Sequence, residues 1–176
     1  MRGLAYALAA GTLLLGVAAC GSERRTGPSD GLTLTDARAF DEFPLYYAGD
    51  RVDGLPLVAI VRRDDTARYV SFIYGSCAPG SDQGCAPPAE IQVWPSASRN
   101  VGSYDEGAAR PRLEPAGIRG VEAAFLDEDS RLELFTDRST IVLFSDSRER
   151  LLRIARALRC VITTGSGVTG GALDCG

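Results

Sequence analysis

The stretch GVEAAFLDEDSRLELFTDRSTIVLF (residues 120–144) decides the fold class, because it holds three apolar segments separated by short polar turns. The apolar segments are residues 120–126, 131–136 and 139–144. Residues 127–130 and 137–138, which lie between them, have the composition of turns. Strands joined by turns this short pair with their neighbours in antiparallel fashion. The stretch therefore predicts a three-stranded antiparallel meander.

A helix is predicted directly after the meander. Residues 145–147 (SDS) form a turn, and apolar residues then recur at helical spacing. These apolar positions are Leu151, Ile154, Ala155 and Leu158. Asp146 and Glu149 have the spacing of a capping box at the start of the helix, and Arg159 lies at its negative end. We expect the helix to end near Arg159 and to pack its apolar stripe against the sheet.

Four segments before the meander have the composition of strands. They are residues 45–49, which form a loop or a short strand, and residues 56–61, 68–75 and 90–94. The polar sequence RRDDTA between the second and third segments predicts a hairpin. Ile91 and Val93 alternate with polar residues and are predicted to point inward. Residues 96–117 have little periodicity and are predicted to form a long connection.

Residues 35–43 predict a short helix, with Thr35 as its N-cap and an end before Pro44. Strands that pair as hairpins, without alternating strands and helices, indicate the α+β class. We therefore expect an antiparallel sheet of about five or six strands, with one short N-terminal helix and one C-terminal helix.

The first twenty residues have the features of an export signal. Met1-Arg2 gives a positive start, residues 4–19 carry no charge, and small residues precede Cys20. Such a segment is typical of secretory signal peptides and is too short for a stable membrane span. Its end, Val17-Ala18-Ala19-Cys20, resembles the lipobox of bacterial lipoproteins. The resemblance implies cleavage before Cys20, a diacylglyceryl group on its thiol and acyl chains such as palmitate.

This interpretation divides the chain into three parts. Residues 1–19 are a signal peptide, residues 20–31 are the lipidated cysteine with a flexible tether, and residues 32–176 form one domain. We expect this domain to be attached to the cell membrane on its extracytoplasmic face. The phrases FPLYYAG (43–49), SFIYGSCAPG (71–80) and CAPPAEIQVWP (85–95) are similar to those of uncharacterised lipoproteins from high-GC Gram-positive bacteria. That resemblance implies no activity.

Four cysteines remain beyond Cys20, and an even number in an exported domain favours disulfides. They are Cys77, Cys85, Cys160 and Cys175. Three pairings are open. We prefer Cys77–Cys85 with Cys160–Cys175, because the members of each pair are close in sequence and flank a glycine-rich loop. A zinc site made of four cysteines would need tighter spacing.

The composition excludes several classes of active site. The chain has no histidine, and all nineteen of its basic residues are arginines. A Ser-His-Asp or Cys-His site, a Schiff-base lysine and a histidine-bound metal are therefore excluded. Without residues 1–19, eighteen arginines stand against twenty-three acidic residues. The resulting net charge of −5 shows no basic bias towards nucleic acid.

Two local patterns resemble ligand sites but lack the necessary context. Residues 165–170 (GSGVTG) have the glycine spacing of a dinucleotide-binding loop, without the βαβ unit that such a loop requires. Residues 127–129 offer three carboxylates, without the glycine and the distant glutamate of a calcium loop. We therefore predict no catalytic residue, no metal site and no cofactor.

Two surfaces remain as candidates for binding. Aromatic residues near the first glycine-rich loop predict a ligand pocket lined by Tyr46, Tyr47, Tyr74 and Trp94. The last helix offers an arginine-rich face for anionic lipid or another polyanion. Its arginines are Arg148, Arg153, Arg156 and Arg159.

The leading hypothesis is a non-enzymatic module that binds or assembles with an envelope protein, glycan or lipid. One alternative is a carboxylate-dependent hydrolase of envelope glycans, a chemistry that needs neither histidine nor lysine. Another is a carrier of lipid or of another small ligand, which would need an apolar cavity between sheet and helix.

Overall fold

The computed structural model describes residues 31–64, 67–77, 86–99, 112–114 and 117–161, together with Leu173 and Cys175. Within these ranges the helices are α1 (Leu34–Ala39) and α2 (Arg148–Ala157). The strands are β1 (Tyr46–Tyr47), β2 (Arg51–Val52), β3 (Leu55–Arg63), β4 (Tyr69–Tyr74), β5 (Ala89–Pro95), β6 (Arg112–Leu113), β7 (Glu122–Leu126), β8 (Arg131–Phe135), β9 (Ser139–Ser145) and β10 (Arg159–Cys160). The predictions for residues 1–30, for Cys85 and for residues 165–170 lie outside the described residues.

Eight of the strands form one antiparallel sheet, in the order β2-β3-β4-β5-β9-β8-β7-β6. Strand β2 pairs only with the first two residues of β3, so seven strands make up the body of the sheet. Strands β1 and β10 form a separate antiparallel pair. The α+β class and the meander of β7, β8 and β9 are confirmed, whereas the predicted number of five or six strands was too low.

The strands that sequence did not indicate are β2, β6 and β10, and each has two residues. A segment this short contains no alternation of apolar and polar positions. It becomes a strand because a neighbouring segment presents a free edge. The hairpin predicted from RRDDTA is present, with Arg63 of β3 opposite Tyr69 of β4.

Two meanders build the sheet, and the pairing of β5 with β9 joins them. The seven residues of β5 lie opposite the seven residues of β9, from Ala89 opposite Ser145 to Pro95 opposite Ser139. Between the meanders the chain passes from the middle of the sheet to its far edge, because β6 lies three strands beyond β9. The long connection predicted over residues 96–117 includes this passage and also contains β6.

One face of the sheet carries the core, and α2 packs against it over β8 and β9. The buried side chains of this segment are Leu151, Ile154, Ala155 and Leu158. The predicted apolar stripe is thus confirmed, and so is the inward orientation of Ile91 and Val93, which are fully buried. Burial of a large apolar side chain stabilises the fold by roughly 1.5–3 kcal/mol.

The N-cap of α1 is Thr33, two residues before the predicted Thr35. The Asp36 amide donates to the Thr33 hydroxyl over 3.1 Å, and the Asp36 carboxylate accepts from the Thr33 amide over 2.8 Å. This reciprocal capping box requires an acid three residues after the cap. Thr35 has Arg38 at that position, and a guanidinium cannot accept a hydrogen bond.

The N-cap of α2 is Ser147, one residue after the predicted Asp146. The Ser147 hydroxyl accepts from the Arg150 amide over 3.4 Å. Asp146 is engaged elsewhere, because its carboxylate accepts from the Arg150 guanidinium over 2.6 Å. Of the helices in the described ranges, none has the length and apolarity needed to cross a membrane.

A two-residue turn, Asp53-Gly54, closes the hairpin of β2 and β3 and places a carboxylate against α2. Both residues have positive φ, 50° and 80°, as the tightest hairpin turns require. The Asp53 carboxylate binds Arg153 through two contacts of 2.8 and 3.0 Å and Arg150 through one of 2.8 Å. The tip of the β2–β3 hairpin is therefore held on the helix by two ion pairs.

The two guanidinium groups lower the pKa of Asp53. The hydrogen bond from Arg153 is the largest cause, that from Arg150 is the second, and together they bring the pKa to about 2. The folded protein thus binds a proton at Asp53 less tightly than the unfolded chain does. The carboxylate stabilises the fold above the unfolded pKa, and this contribution is lost as the pH falls through the folded pKa.

We predict that Asp53→Asn lowers the free energy of unfolding near neutral pH and has a much smaller effect at about pH 2. Urea unfolding of the full chain and the variant at several pH values measures this difference. Asp41→Asn serves as the control, because no ion pair or side-chain hydrogen bond involves Asp41 among the described residues. A loss of stability by Asp53→Asn that is the same at every pH would contradict the prediction.

Candidate functional site

A cleft of about 490 Å³ opens at one end of the sheet, where β7 begins and β8 ends. The C-terminal residues that the structure describes form one of its walls. Its apolar lining consists of Pro44, Tyr46, Val121, Phe135 and Leu173. Ligand pockets for small molecules usually have volumes of about 300–1,000 Å³. The cleft is therefore the candidate binding site.

Long-range hydrogen bonds assemble the walls of the cleft. The Ser139 hydroxyl at the start of β9 donates to the Pro44 carbonyl over 2.8 Å. The Leu173 amide donates to the carbonyl of Arg119 over 3.2 Å, and the Tyr46 hydroxyl donates to the Leu173 carbonyl over 3.5 Å. Segments that are distant in sequence thus meet at one place.

The disulfide between Cys160 and Cys175 attaches the C-terminal wall to β10. Tyr46 lies opposite Cys160 in the β1–β10 pair, and Cys175 lines the cleft. This pairing of the two cysteines, which the sequence predicted, is confirmed. Cys77 is also disulfide-bonded. Its predicted partner Cys85 lies outside the described residues, so that pairing stays a prediction.

Three charged residues stand at the rim of the cleft. They are Glu122, Asp137 and Arg138, and all three are exposed. Among the described residues, no ion pair or hydrogen bond involves their side chains. Their backbone is held, because Ser96 donates to the carbonyls of Asp137 and Arg138 over 3.0 and 3.2 Å. The rim thus presents Asp137 and Arg138 from a fixed turn, and Glu122 from the first position of β7.

Of the aromatic residues predicted to form a pocket, Tyr46 lines the cleft and the other three lie elsewhere. Tyr47 and Tyr74 are buried in the core, and the Tyr74 hydroxyl donates to the Gly49 carbonyl over 3.0 Å. Burial raises the pKa of Tyr74 well above its usual value, so its hydroxyl remains a donor. Trp94 stacks on the ring of Tyr69, with 4.4 Å between the ring centroids.

The sheet face opposite α2 carries a buried carboxylate, Glu133, which is 0% exposed. Both of its oxygens accept from Arg99, over 3.1 and 3.2 Å, and Arg131 lies 3.4 Å away. The Thr140 hydroxyl donates to the Arg99 carbonyl over 2.5 Å and helps to hold this arginine in place. A buried carboxylate must be compensated in this way. The cluster therefore has a structural role, since arginines of the same chain bind the Glu133 carboxylate.

Arginines of the last helix mostly bind groups of the protein itself. Arg148 pairs with Glu114 over 2.7 Å and lies 3.8 Å from the centroid of the Phe125 ring. Arg153 pairs with Asp53, as described above, whereas Arg156 is exposed. These internal contacts leave less positive charge for an anionic partner than the sequence suggested.

The negative end of α2 is bound by a residue that sequence did not indicate. Arg119 donates to the carbonyl of Leu158 through its guanidinium. Arg159, which the sequence placed at this end, instead lies over the Tyr47 ring at 4.9 Å from its centroid. Gly49 leaves room for this packing, because a Cβ there would overlap the Arg159 guanidinium.

The acidic turn at residues 127–129 binds arginines. All three residues have positive φ, between 51° and 69°, a region that aspartate tolerates better than most residues. Asp127 pairs with Arg131 over 3.1 Å, and Asp129 pairs with Arg148 over 3.5 Å. Within the described ranges, no group of three metal-ligating side chains is arranged to hold an ion.

Comparisons with protein families, with curated proteins and with solved structures found no match for this chain. The interpretation of the cleft therefore rests on its own geometry and charge. Sequence reasoning did not single out Glu122, Asp137 or Arg138. Their position at the ends of meander strands is the one sequence feature that they share, and it does not distinguish them from other charged residues at the turns.

We predict that replacing Cys160 and Cys175 with serine lowers the free energy of unfolding by about 3 kcal/mol, the value expected for a loop of this length. The change also releases the C-terminal wall of the cleft. Chymotrypsin should then cleave the full chain after Leu173, which is 5% exposed when the disulfide is present.

The control for this experiment replaces Cys77 and Cys85 with serine. It removes Cys77, which is not among the described residues that line the cleft, together with its predicted partner, and it should leave Leu173 protected. Equal cleavage after Leu173 in the two variants would show that the Cys160–Cys175 disulfide does not hold this wall.

Proposed function

We propose that this chain is a lipoprotein that is anchored in the cell membrane through Cys20 and binds a component of the cell envelope in the cleft. The export signal and the lipobox resemblance of residues 1–20 support the anchor. The Cys160–Cys175 disulfide supports an extracytoplasmic location, because disulfides persist in oxidising compartments. We further propose the second bridge, Cys77–Cys85. The Cys77 sulfur lies 3.4 Å from the carbonyl oxygen of Ala86, the residue after Cys85.

The observation that carries the binding proposal is the cleft itself. Its lining is apolar, and the charged side chains at its rim have no side-chain partner among the described residues. An extended chain spans at most about 3.5 Å per residue, so the tether of residues 20–31 reaches roughly 40 Å from the anchor. This reach lets the domain meet envelope components above the membrane surface. Binding needs no catalytic histidine or lysine, which the chain lacks.

The second candidate function is hydrolysis of envelope glycans. Two carboxylates, Glu122 and Asp137, line the same cleft, and this reaction requires such a pair. In glycosidases, however, an apolar environment keeps the catalytic acid protonated. Both carboxylates are exposed here, which favours binding over hydrolysis.

A lipid carrier would need an apolar cavity between the sheet and α2. In the described part of the chain, fully buried side chains of α2, including Leu151 and Ile154, fill this interface. The carrier hypothesis therefore has less support than binding in the cleft at the end of the sheet.

We predict that Cys20→Ala abolishes acylation and either releases the domain from the membrane or leaves the precursor uncleaved. Growth with labelled palmitate, followed by fractionation of membranes, measures both effects. Cys77→Ala is the control, and it should retain the label. A Cys20→Ala chain that still incorporates palmitate would contradict the anchor.

We predict that the cleft is occupied in living cells. The photoreactive residue p-benzoylphenylalanine, replacing Phe135 in the lining and retaining its phenyl ring, should form a covalent adduct with an envelope component on irradiation. Mass spectrometry then identifies the adduct. Val121→Trp, which places an indole inside the cleft, should abolish the adduct because it occupies the space of the ligand.

The matched control carries the same photoreactive residue in place of Arg156, an exposed position on α2 that lies outside the lining of the cleft. Any adduct formed at position 156 should be unchanged by Val121→Trp. Equal adducts at the two positions, or an adduct at position 135 that persists in Val121→Trp, would count against binding in the cleft.

A further inference from the structure

The rim of the cleft combines charges of both signs. Glu122 and Asp137 contribute two carboxylates, and Arg138 contributes one guanidinium. All three side chains are exposed and have no side-chain partner among the described residues. By contrast, the Asp53 carboxylate is already shared by two arginines. No described residue therefore competes with a ligand for the charges at the rim.

Neutral hydrogen-bonding groups of the lining are already engaged. The Thr136 hydroxyl donates to the Ser139 carbonyl over 2.7 Å and accepts from the Ser139 amide over 3.0 Å. The Tyr46 hydroxyl donates to the Leu173 carbonyl. The polar part of the cleft that faces a ligand is thus mainly ionic, while the remaining surface is apolar.

This pattern discriminates between classes of ligand. A polyanion would meet two carboxylates, and like charges in contact are unfavourable. A lipid chain would remove water from three charged groups without pairing them. An uncharged glycan would form hydrogen bonds with these groups through its hydroxyls but would compensate none of their charges. A ligand with an ammonium group, a carboxylate and an apolar side chain would match every part of the site.

We infer that the cleft binds a zwitterionic amino acid or a short peptide with an apolar side chain. This inference rests on the proposed binding function and names its class of ligand. The ammonium group pairs with Glu122 and Asp137, and the carboxylate pairs with Arg138, whose planar guanidinium suits two parallel hydrogen bonds. The apolar side chain packs on Phe135 and Pro44. A volume of about 490 Å³ accommodates a dipeptide.

The experiment is a calorimetric titration of the full lipidated chain in nanodiscs with the dipeptide leucyl-leucine. Two matched probes are N-acetyl-leucyl-leucine, which lacks the ammonium group, and leucyl-leucine amide, which lacks the carboxylate. We expect leucyl-leucine to bind and each blocked probe to bind about tenfold more weakly, because each loses one charge-assisted pair. Empty nanodiscs give the background.

Variants assign each charge of the ligand to its partner. In the variant that combines Glu122→Gln with Asp137→Asn, N-acetylation of the dipeptide should no longer lower its affinity, whereas amidation should still lower it. Arg138→Gln should do the opposite. Glu149→Gln and Arg156→Gln on the exposed side of α2 are controls and should change neither penalty. The titrations of the unmodified chain with the three probes test the inference even if a variant fails to fold.

Equal affinities for the three probes would overturn the inference. A leucyl-leucine amide that binds as tightly as leucyl-leucine would also overturn it and would indicate a simple cation as ligand. If none of the probes binds while the Val121-dependent adduct at position 135 is present, the peptide inference fails and the binding function stands. Loss of that adduct as well would contradict both.

Discussion

The pairing of β5 with β9 is the constraint on which the other features depend. It joins residues 89–95 to residues 139–145 over seven opposite positions and so unites two meanders into one sheet. Ser96, directly after β5, thereby reaches the turn before β9 and donates to the carbonyls of Asp137 and Arg138. The Ser139 hydroxyl, at the same end of this pairing, donates to the carbonyl of Pro44. Asp137 and Arg138 at the rim and Pro44 in the lining are therefore held in place by the same strand pair.

Arginine, the one basic side chain of this protein, has a largely structural role. It compensates the buried carboxylate of Glu133, holds Asp53 against α2 and packs over the rings of Phe125 and Tyr47. The planar guanidinium suits each of these contacts, since it binds carboxylates through two hydrogen bonds and stacks on aromatic faces. By contrast, the charged side chains at the rim of the cleft have no side-chain partner in the described part of the chain.

The aromatic residues show why a binding site is harder to predict than a fold. Tyr47 and Tyr74 suggested a pocket because they are large and amphipathic, yet both are buried in the core. Burial of a large ring stabilises strongly, and a buried hydroxyl needs one partner, which Tyr74 finds in Gly49. The rim residues, in contrast, resemble ordinary turn and strand-end residues. The local sequence does not distinguish Glu122, at the start of β7, from Glu128, in the turn that follows the end of β7.

The sequence by itself determined the features that depend on neighbouring residues. These include the meander, the stripe of α2, the inward Ile91 and Val93, and the Cys160–Cys175 pair, because alternation, helical spacing and short loops are local properties. The tertiary structure alone decided the order of the strands, the two-residue strands, the partners of the arginines and the cleft. These depend on contacts between segments that are far apart in the chain, and a residue's neighbours in sequence do not specify which distant segment will meet it.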